Sequence, residues 1–453
     1  MSARMLRWLC GAALMLSGGA AFAQTPCNAS TSWFTNPSFP VDVAGGGETD
    51  CQFHQFAWQA FIDVVQPADG GREFETWMPE YGIFVPAGTP ITPWGQQPSA
   101  PCSAKAATAA DAKKLFLRPR VPKGPGVDGS SDQQATGDPL YDQNKNVVYY
   151  SMWVNQTEYD FIANCDFNNT TCITSAPATT ALPAGSVELK AAWRTFANTV
   201  PKGMYAIKGV VGDSCQPVVL GLVGFHLVVN TPTHPEFIWA TFEHNSNAPD
   251  CTNPQKPPAG GWSFNDPSCS TADCPPNKTG VNPTQVCRVA PQGGGTQDNT
   301  SAMIALNASV QSTLQGLLKQ SPTQYADMAV WLNYQMTGNL WTVNGALPPT
   351  ASNFAGSKEN ANTTLETFIQ GNGNNCFTCH TQAQFVSKTQ GPMGFPSGAP
   401  ANFSHLWGFA QQTGGCGNGK GPLPAACPIK NGNTASLTDQ AKQAASEKTS
   451  GKK

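Results

Sequence analysis

Charge is scarce in this 453-residue chain, where Asp, Glu, Lys and Arg make up only 12% of residues, about half the usual share. With 26 basic and 29 acidic residues, no strong field of either sign is available. That excludes the basic surface a nucleic acid or an anionic membrane would need. Histidine is rarer still, at six residues. Beyond the N-terminal run no stretch is apolar for the ~20 residues that a bilayer-spanning helix requires. No internal repeat is present.

What the chain does have is glycine (44), proline (38) and cysteine (15), the composition of a loop-rich protein held by cross-links. Arg4 and Arg7 precede an apolar run from Trp8 to Leu16, and Ala21-Phe22-Ala23 ends at Gln24, which reads as an export signal over residues 1–23. Removing it leaves 24 basic against 29 acidic residues, a net −5, and takes Cys10 with it. The expected location is periplasmic or secreted, with no integral membrane segment after cleavage. Close spacing predicts disulfides Cys165–Cys172, Cys269–Cys274 and Cys416–Cys427. Cys27, Cys51, Cys102, Cys215, Cys251 and Cys287 cannot be paired by spacing. No second close pair has zinc-like spacing.

Apolar residues at three- and four-residue steps predict a buried helix from Cys51 to Val65. Residues Phe84 to Tyr141 read as surface loops. Strand signals follow at Val147–Val154, Val187–Phe196, Met204–Val211, Val218–Val229 and Phe237–Phe242. The nearly all-apolar run Pro217–Asn230 is expected to be a central strand or hairpin buried on both faces, with a helix left open by periodicity alone. Cys251 to Gly295 reads as a stapled loop region. Helical spacing returns after Asp298, with Met303, Ile304, Leu306, Val310, Leu314 and Leu317 on one face, then at Tyr325–Leu340 and Ala361–Gln370.

Cys376-Phe377-Thr378-Cys379-His380 is the one strong motif. Two thiols separated by two residues can each form a thioether to a haem vinyl group, with the adjacent histidine placed to ligate the iron. The rival, a thioredoxin-like dithiol, needs the pair at a helix start just after a strand, whereas a helix and a Gly-Asn turn are expected before it. Cys376, Cys379 and His380 are therefore the expected haem c attachment site. Only one such motif exists, so one haem is expected.

The sixth iron position has two nearby candidates: Met393, in a Gly-Pro-Met-Gly-Phe-Pro run, and His405. A distant residue or an open position are the alternatives. His226, Glu243 and His244, on neighbouring predicted strands, offer a metal or acid–base cluster, or simply hydrogen-bonded residues closing the end of a sheet. His54 and His234 read as structural or solvent-facing.

With these residues noted, the chain resembles a family of exported proteobacterial proteins catalogued as cytochrome c family proteins without an assigned reaction. The resemblance rests on Trp58-Gln59-Ala60-Phe61-Ile62, Glu188-Leu189-Lys190-Ala191-Ala192-Trp193, Phe237-Ile238-Trp239-Ala240-Thr241-Phe242-Glu243-His244, Trp331-Leu332-Asn333-Tyr334-Gln335 and Asn362-Thr363-Thr364-Leu365-Glu366-Thr367. It implies haem binding and electron transfer with a redox partner protein. The alternative is a haem enzyme, oxidase or peroxidase-like, with an open distal iron site. The expected fold is α+β: a β-rich globular region over 24–296 with flanking helices and disulfide-stapled loops, a helical region over 297–350, a small helical cytochrome c-like haem segment over 351–430, and a polar tail over 431–453.

Overall fold

Runs rich in Val, Ile, Tyr, Trp and Phe separated by turn residues favour extended backbone, and the computed structural model shows the resulting sheet. It describes residues 27–68, 70–99, 115–117, 138–212, 215–289, 297–371, 373–381, 386–387, 391–392, 394–410, 416 and 427. The expected signal peptide, Cys102, Met393 and the 431–453 tail lie outside the described residues.

Helix α1 spans Asp50–Val64 and starts at a capping box, in which Thr49 and Gln52 satisfy each other's backbone N–H groups. The sheet strands follow: β1 Met78–Pro79, β2 Leu115–Leu117, β3 Tyr149–Val154, β4 Val187–Phe196, β5 Ala206–Val211, β6 Gln216–Val229 and β7 Ile238–His244. Helix α2, Gln156–Asn164, falls between β3 and β4, and its N-cap is Asn155. Helix α3 covers Gln297–Gln320, and strands β8, Tyr334–Thr342, and β9, Phe354–Gly356, complete the sheet. A last short helix, α4, is Cys376–His380.

Among the described residues these strands form one nine-stranded sheet in the order β9-β8-β7-β6-β4-β3-β1, with β2 and β5 continuing from the lower half of β6. All pairs are antiparallel except β2 with β5. The 14-residue β6 is the spine: its first half pairs with β5, its second half with β7, and its other edge with β4. Strands from all three expected segments, 24–296, 297–350 and 351–430, share this sheet.

Alternation sends one set of side chains to each face. On the first face Trp193, Leu222, Phe225, Leu227, Ala240 and Phe242 pack beneath α1 and α3. Phe61 stacks on Phe242 with centroids 4.2 Å apart, and Trp58 Nε1 donates to Asn307 Oδ1 of α3 at 2.8 Å. Asn307 Nδ2 in turn donates to the Met336 carbonyl at 2.8 Å, tying α3 to β8. The second face carries two further apolar clusters. One is built round Trp239, Phe377 and Trp407, the other round Tyr150, Val223 and Leu365.

Several expectations are corrected. Tyr325–Leu340 is not a helix: a 3-10 stretch covers Ala326–Asn333 and strand β8 begins at Tyr334. Short apolar runs fit both periods, and pairing with β7 decides for the strand. Ala361–Gln370 is turns, with a single 3-10 turn at Thr367–Ile369. Asn362, Thr363, Thr364 and Glu366 spend their side chains on hydrogen bonds to the sheet and to nearby backbone, which competes with helix formation. The expected cytochrome-like helical segment is accordingly not seen: among the described residues of 351–430 the only α-helix is the five-residue α4. Leu115–Leu117, expected as loop, is a strand.

Cys269–Cys274 pairs as expected, but Cys165 bonds Cys427 and Cys172 bonds Cys416, closing separations of 262 and 244 residues. Cys165 and Cys172 are both buried in the cluster round Trp407, so each meets the returning C-terminal segment instead of its neighbour. Cys27–Cys51 and Cys251–Cys287 are bonded too, as is Cys215.

Two glycines in the sheet let the segment after β9 lie directly on it. A Cβ at Gly224 would collide with the Thr364 hydroxyl and crowd Asn362, and one at Gly338 would collide with Asn360. Gly338→Ala is expected to cost about 1–3 kcal/mol by overpacking. A urea midpoint equal to that of the wild type would refute the close seating.

Candidate functional site

Asn375 caps α4, accepting from the Thr378 N–H at 3.2 Å while its amide donates to the Lys358 carbonyl at 2.8 Å. One turn of helix therefore carries Cys376, Cys379 and His380 at steps of three and one. Neighbours at three and four residues share a helix face. Phe377 points the other way and is fully buried, its ring 6.0 Å from Trp239 and 5.2 Å from Phe354. This side chain anchors the motif to the sheet. Cys376 is left half-buried and Cys379 exposed.

His380 is oriented by three contacts. Its Nδ1–H donates to the Phe403 carbonyl at 2.6 Å, because a carbonyl can only accept. The proton-free nitrogen is then Nε2. Its ring is held between His405, stacked at 3.7 Å and 13°, and Trp239 at 4.3 Å. Burial pushes the imidazole pKa down to about 4, outweighing the Phe403 hydrogen bond, so His380 is neutral at pH 7. Neutral imidazole with one nitrogen committed to a carbonyl is the form that ligates a metal.

The ring of His405 lies face to face with that of His380 in this arrangement. Met393 lies outside the described residues.

Beneath the motif, the second face of the sheet presents ordered rows. Val154, Glu188, Val228, Trp239 and Leu340 are cross-strand neighbours; so are Met152, Lys190, His226 and Thr241. His226 Nε2 meets both oxygens of Glu366, at 2.9 and 3.1 Å. Burial alone would raise the Glu366 carboxyl, but His226, Lys190 and the Asn362 N–H hold it below the usual range. The charges of Lys190, His226 and Glu366 all act on His380. Cys376 receives a weak hydrogen bond from Asn360, 3.6 Å away. Burial, with the Glu366 charge second, pushes the Cys376 thiol well above its usual value. That is opposite to the acidic thiol of a thioredoxin-like dithiol.

The expected cluster of His226, Glu243 and His244 does not assemble. Adjacent strand residues face opposite ways, so His244 lies on the first face, against Tyr334 at 5.0 Å, with Nε2 donating to the Gly203 carbonyl and Nδ1 accepting from Ser246. Burial lowers its pKa to about 4. Glu243 is buried on the second face as a strut. It pairs with Arg288 at 2.8 Å and accepts from both N–H and hydroxyl of Thr363, while Arg288 reaches Asp250 at 2.7 Å. His234 is likewise structural, bonded through Nδ1 to buried Glu236 at 2.9 Å.

Lys190, Glu366 and Trp239, which surround the motif, belong to no chemical motif. The one sequence signal was Glu188 and Lys190 at alternate positions of an otherwise apolar strand, which places two charges on one sheet face. Among the described residues no three His, Cys, Asp or Glu side chains gather as a bare metal-ion site. Comparison with protein-family models, curated proteins and solved structures finds no match for the chain.

Arg288 neutralises two buried carboxylates. Arg288→Met, which strands Glu243, is expected to destabilise the fold by about 3–5 kcal/mol. Denaturant titration checks it, and a loss below about 1 kcal/mol would contradict the strut role.

Proposed function

We propose that this chain is an exported c-type cytochrome that carries one covalently bound haem on Cys376 and Cys379, with His380 as an iron ligand, and works in one-electron transfer with a redox partner protein. The observation that carries the reading is the contrast between cysteines. Cys376 and Cys379 keep their thiols, whereas eleven other cysteines are disulfide-bonded. In an oxidising compartment two thiols that form no disulfide, on one turn of helix next to a histidine offering Nε2, suit thioether attachment.

The residues present fit such a group. Cys376 and Cys379 would fasten its edge, and the Phe403 carbonyl would hold the His380 tautomer. Trp239 and His405 would fix the ring plane. The haem, when bound, supplies an iron that changes oxidation state by one electron. Burial and hydrogen bonding around the ligand are the protein's means of tuning its potential. The disulfides, together with the lack of any described helix long and apolar enough to cross a membrane, agree with a periplasmic or secreted location. The resemblance to exported cytochrome c family proteins agrees as well.

A haem enzyme with an open sixth position is the second reading, favoured by the partly exposed His226–Glu366 pair, an acid–base couple beside His380. Expression with cytochrome-maturation machinery separates the possibilities. The expected product has the mass of one added haem, a Soret band and a pyridine haemochrome spectrum of the c type. Cys376→Ser/Cys379→Ser is expected to lose covalent haem entirely. Absence of porphyrin mass in the wild type would overturn the proposal, and rapid carbon monoxide uptake by the reduced protein would select the enzyme reading.

A further inference from the structure

Two carboxyl groups lie buried side by side without a cation. Glu158, on α2, is fully buried, and Glu188, on β4, is 5% exposed. Their side chains meet each other, and Glu188 also accepts a hydrogen bond from the Ser404 hydroxyl. Three of the four carboxyl oxygens find no partner if both groups are ionised. Two carboxylates this close in a dry site cannot both carry charge, so the pair must hold at least one proton.

The titratable and charged groups on the surrounding elements are Tyr159 and Asp160 on α2, Asp166 just after it, Lys190 and Arg194 on β4, His226 on β6, Tyr149 and Tyr150 on β3, and His405 after Ser404. Glu158 experiences the charge of Glu188, and Glu188 takes a hydrogen bond from Glu158. Burial, opposed by the Ser404 hydrogen bond, raises Glu188 to about 7, and burial with the Glu188 charge raises Glu158 further. The pair therefore exchanges a proton in the neutral range, as a unit.

Its position is what gives that exchange a use. Ser404 follows Phe403, whose carbonyl takes the His380 proton bond at 2.6 Å, and precedes His405, which stacks on His380. On the sheet, Glu188 lies in the same cross-strand row as Trp239, the other ring against His380. The pair is thus joined to the surroundings of His380 through Ser404 on one side and the sheet row on the other.

We infer that Glu158 and Glu188 form a redox-linked proton site: when a one-electron donor protein reduces the centre at His380, the pair takes one proton from water, and reoxidation returns it. The balance is one electron and one proton in, one electron and one proton out, with no bond to carbon formed or broken. This rests on the haem reading above. Trp239, the ring against His380, stands two strand spacings from Glu188. A unit of negative charge added at about that range, in a medium of effective dielectric about 20, would strengthen proton binding on the order of tenfold. By linkage the proton must favour the reduced state by the same factor.

The test is the midpoint potential of the intact holoprotein, followed spectroelectrochemically from pH 5 to pH 9. In the wild type it is expected to fall as pH rises through neutrality, and Glu188→Gln and Glu158→Gln should each flatten that dependence. A reduced-minus-oxidised infrared spectrum of the wild type should show a protonated-carboxyl band that shifts in deuterium oxide. That measurement decides the matter even where the glutamine variants do not fold. A protein with a Soret band but a flat midpoint, or lacking the carboxyl band, refutes the proton site alone. So does a pH dependence that survives in both variants. A protein without haem refutes the parent reading and this one together.

Discussion

The architecture hangs on the direct contact between the segment that follows β9 and the second face of the sheet. Segments laid over a sheet must satisfy their own backbone and that of nothing else, and most do so by staying a side chain's length away. Here Gly224 and Gly338 remove that spacing, so that Asn360, Asn362 and Thr364 reach into the pleat. Asn362 donates to Thr241 and to the Phe242 carbonyl at 2.9 Å, and the Thr363 N–H and hydroxyl both bond Glu243 at 2.7 Å. Buried polar contacts of this kind are costly if half made and directional if complete. They fix the register of the residues that lead into Cys376, and therefore where His380 stands.

The two faces of the sheet divide the labour. The first, under α1 and α3, is aromatic and aliphatic, with Phe61, Trp58, Phe225 and Phe242 in edge and stacked contact. The second mixes apolar anchors with Glu188, Lys190, His226 and Glu243 in successive rows. A chain with so few charges has placed several of them on one buried or half-buried face, which is where a low dielectric makes each one count. The apolar face supplies the stability that this polar face lowers.

Much of this architecture was legible in the residues, because its strands have clear periods. β4 was delimited at Val187–Phe196, α1 within a residue at each end, and the Pro217–Asn230 run as a central strand. Legibility ended where tertiary contact overrides local pattern. Tyr334 to Thr342 has apolar spacing that suits a helix, and only β7 beside it makes it a strand. Asn362 to Glu366 has the same ambiguity, settled by side-chain hydrogen bonds to residues about 120 positions away. The partners of Cys165 and Cys172 were illegible for a related reason, since proximity along the chain says nothing of a segment that returns from 244 or 262 residues on. At the site, Cys376, Cys379 and His380 announce themselves by spacing, whereas Trp239, Phe403 and Glu366 come from three separate parts of the chain and have no pattern in common.

The same burial that raises the Cys376 thiol also bears on how the cross-links sort themselves. Disulfide exchange proceeds through thiolate, so its rate falls with the fraction of thiol ionised. Cys376, shielded beside Asn360 and close to the negative Glu366, has little thiolate at neutral pH and is a poor attacker of the disulfides formed elsewhere. Cys165–Cys427 and Cys172–Cys416 meanwhile hold Cys427 and Cys416 on the cluster that contains Phe377 and Trp407. In the folded chain the structural cysteines are bonded to their own partners, while Cys376 stands as a thiol where burial disfavours its thiolate.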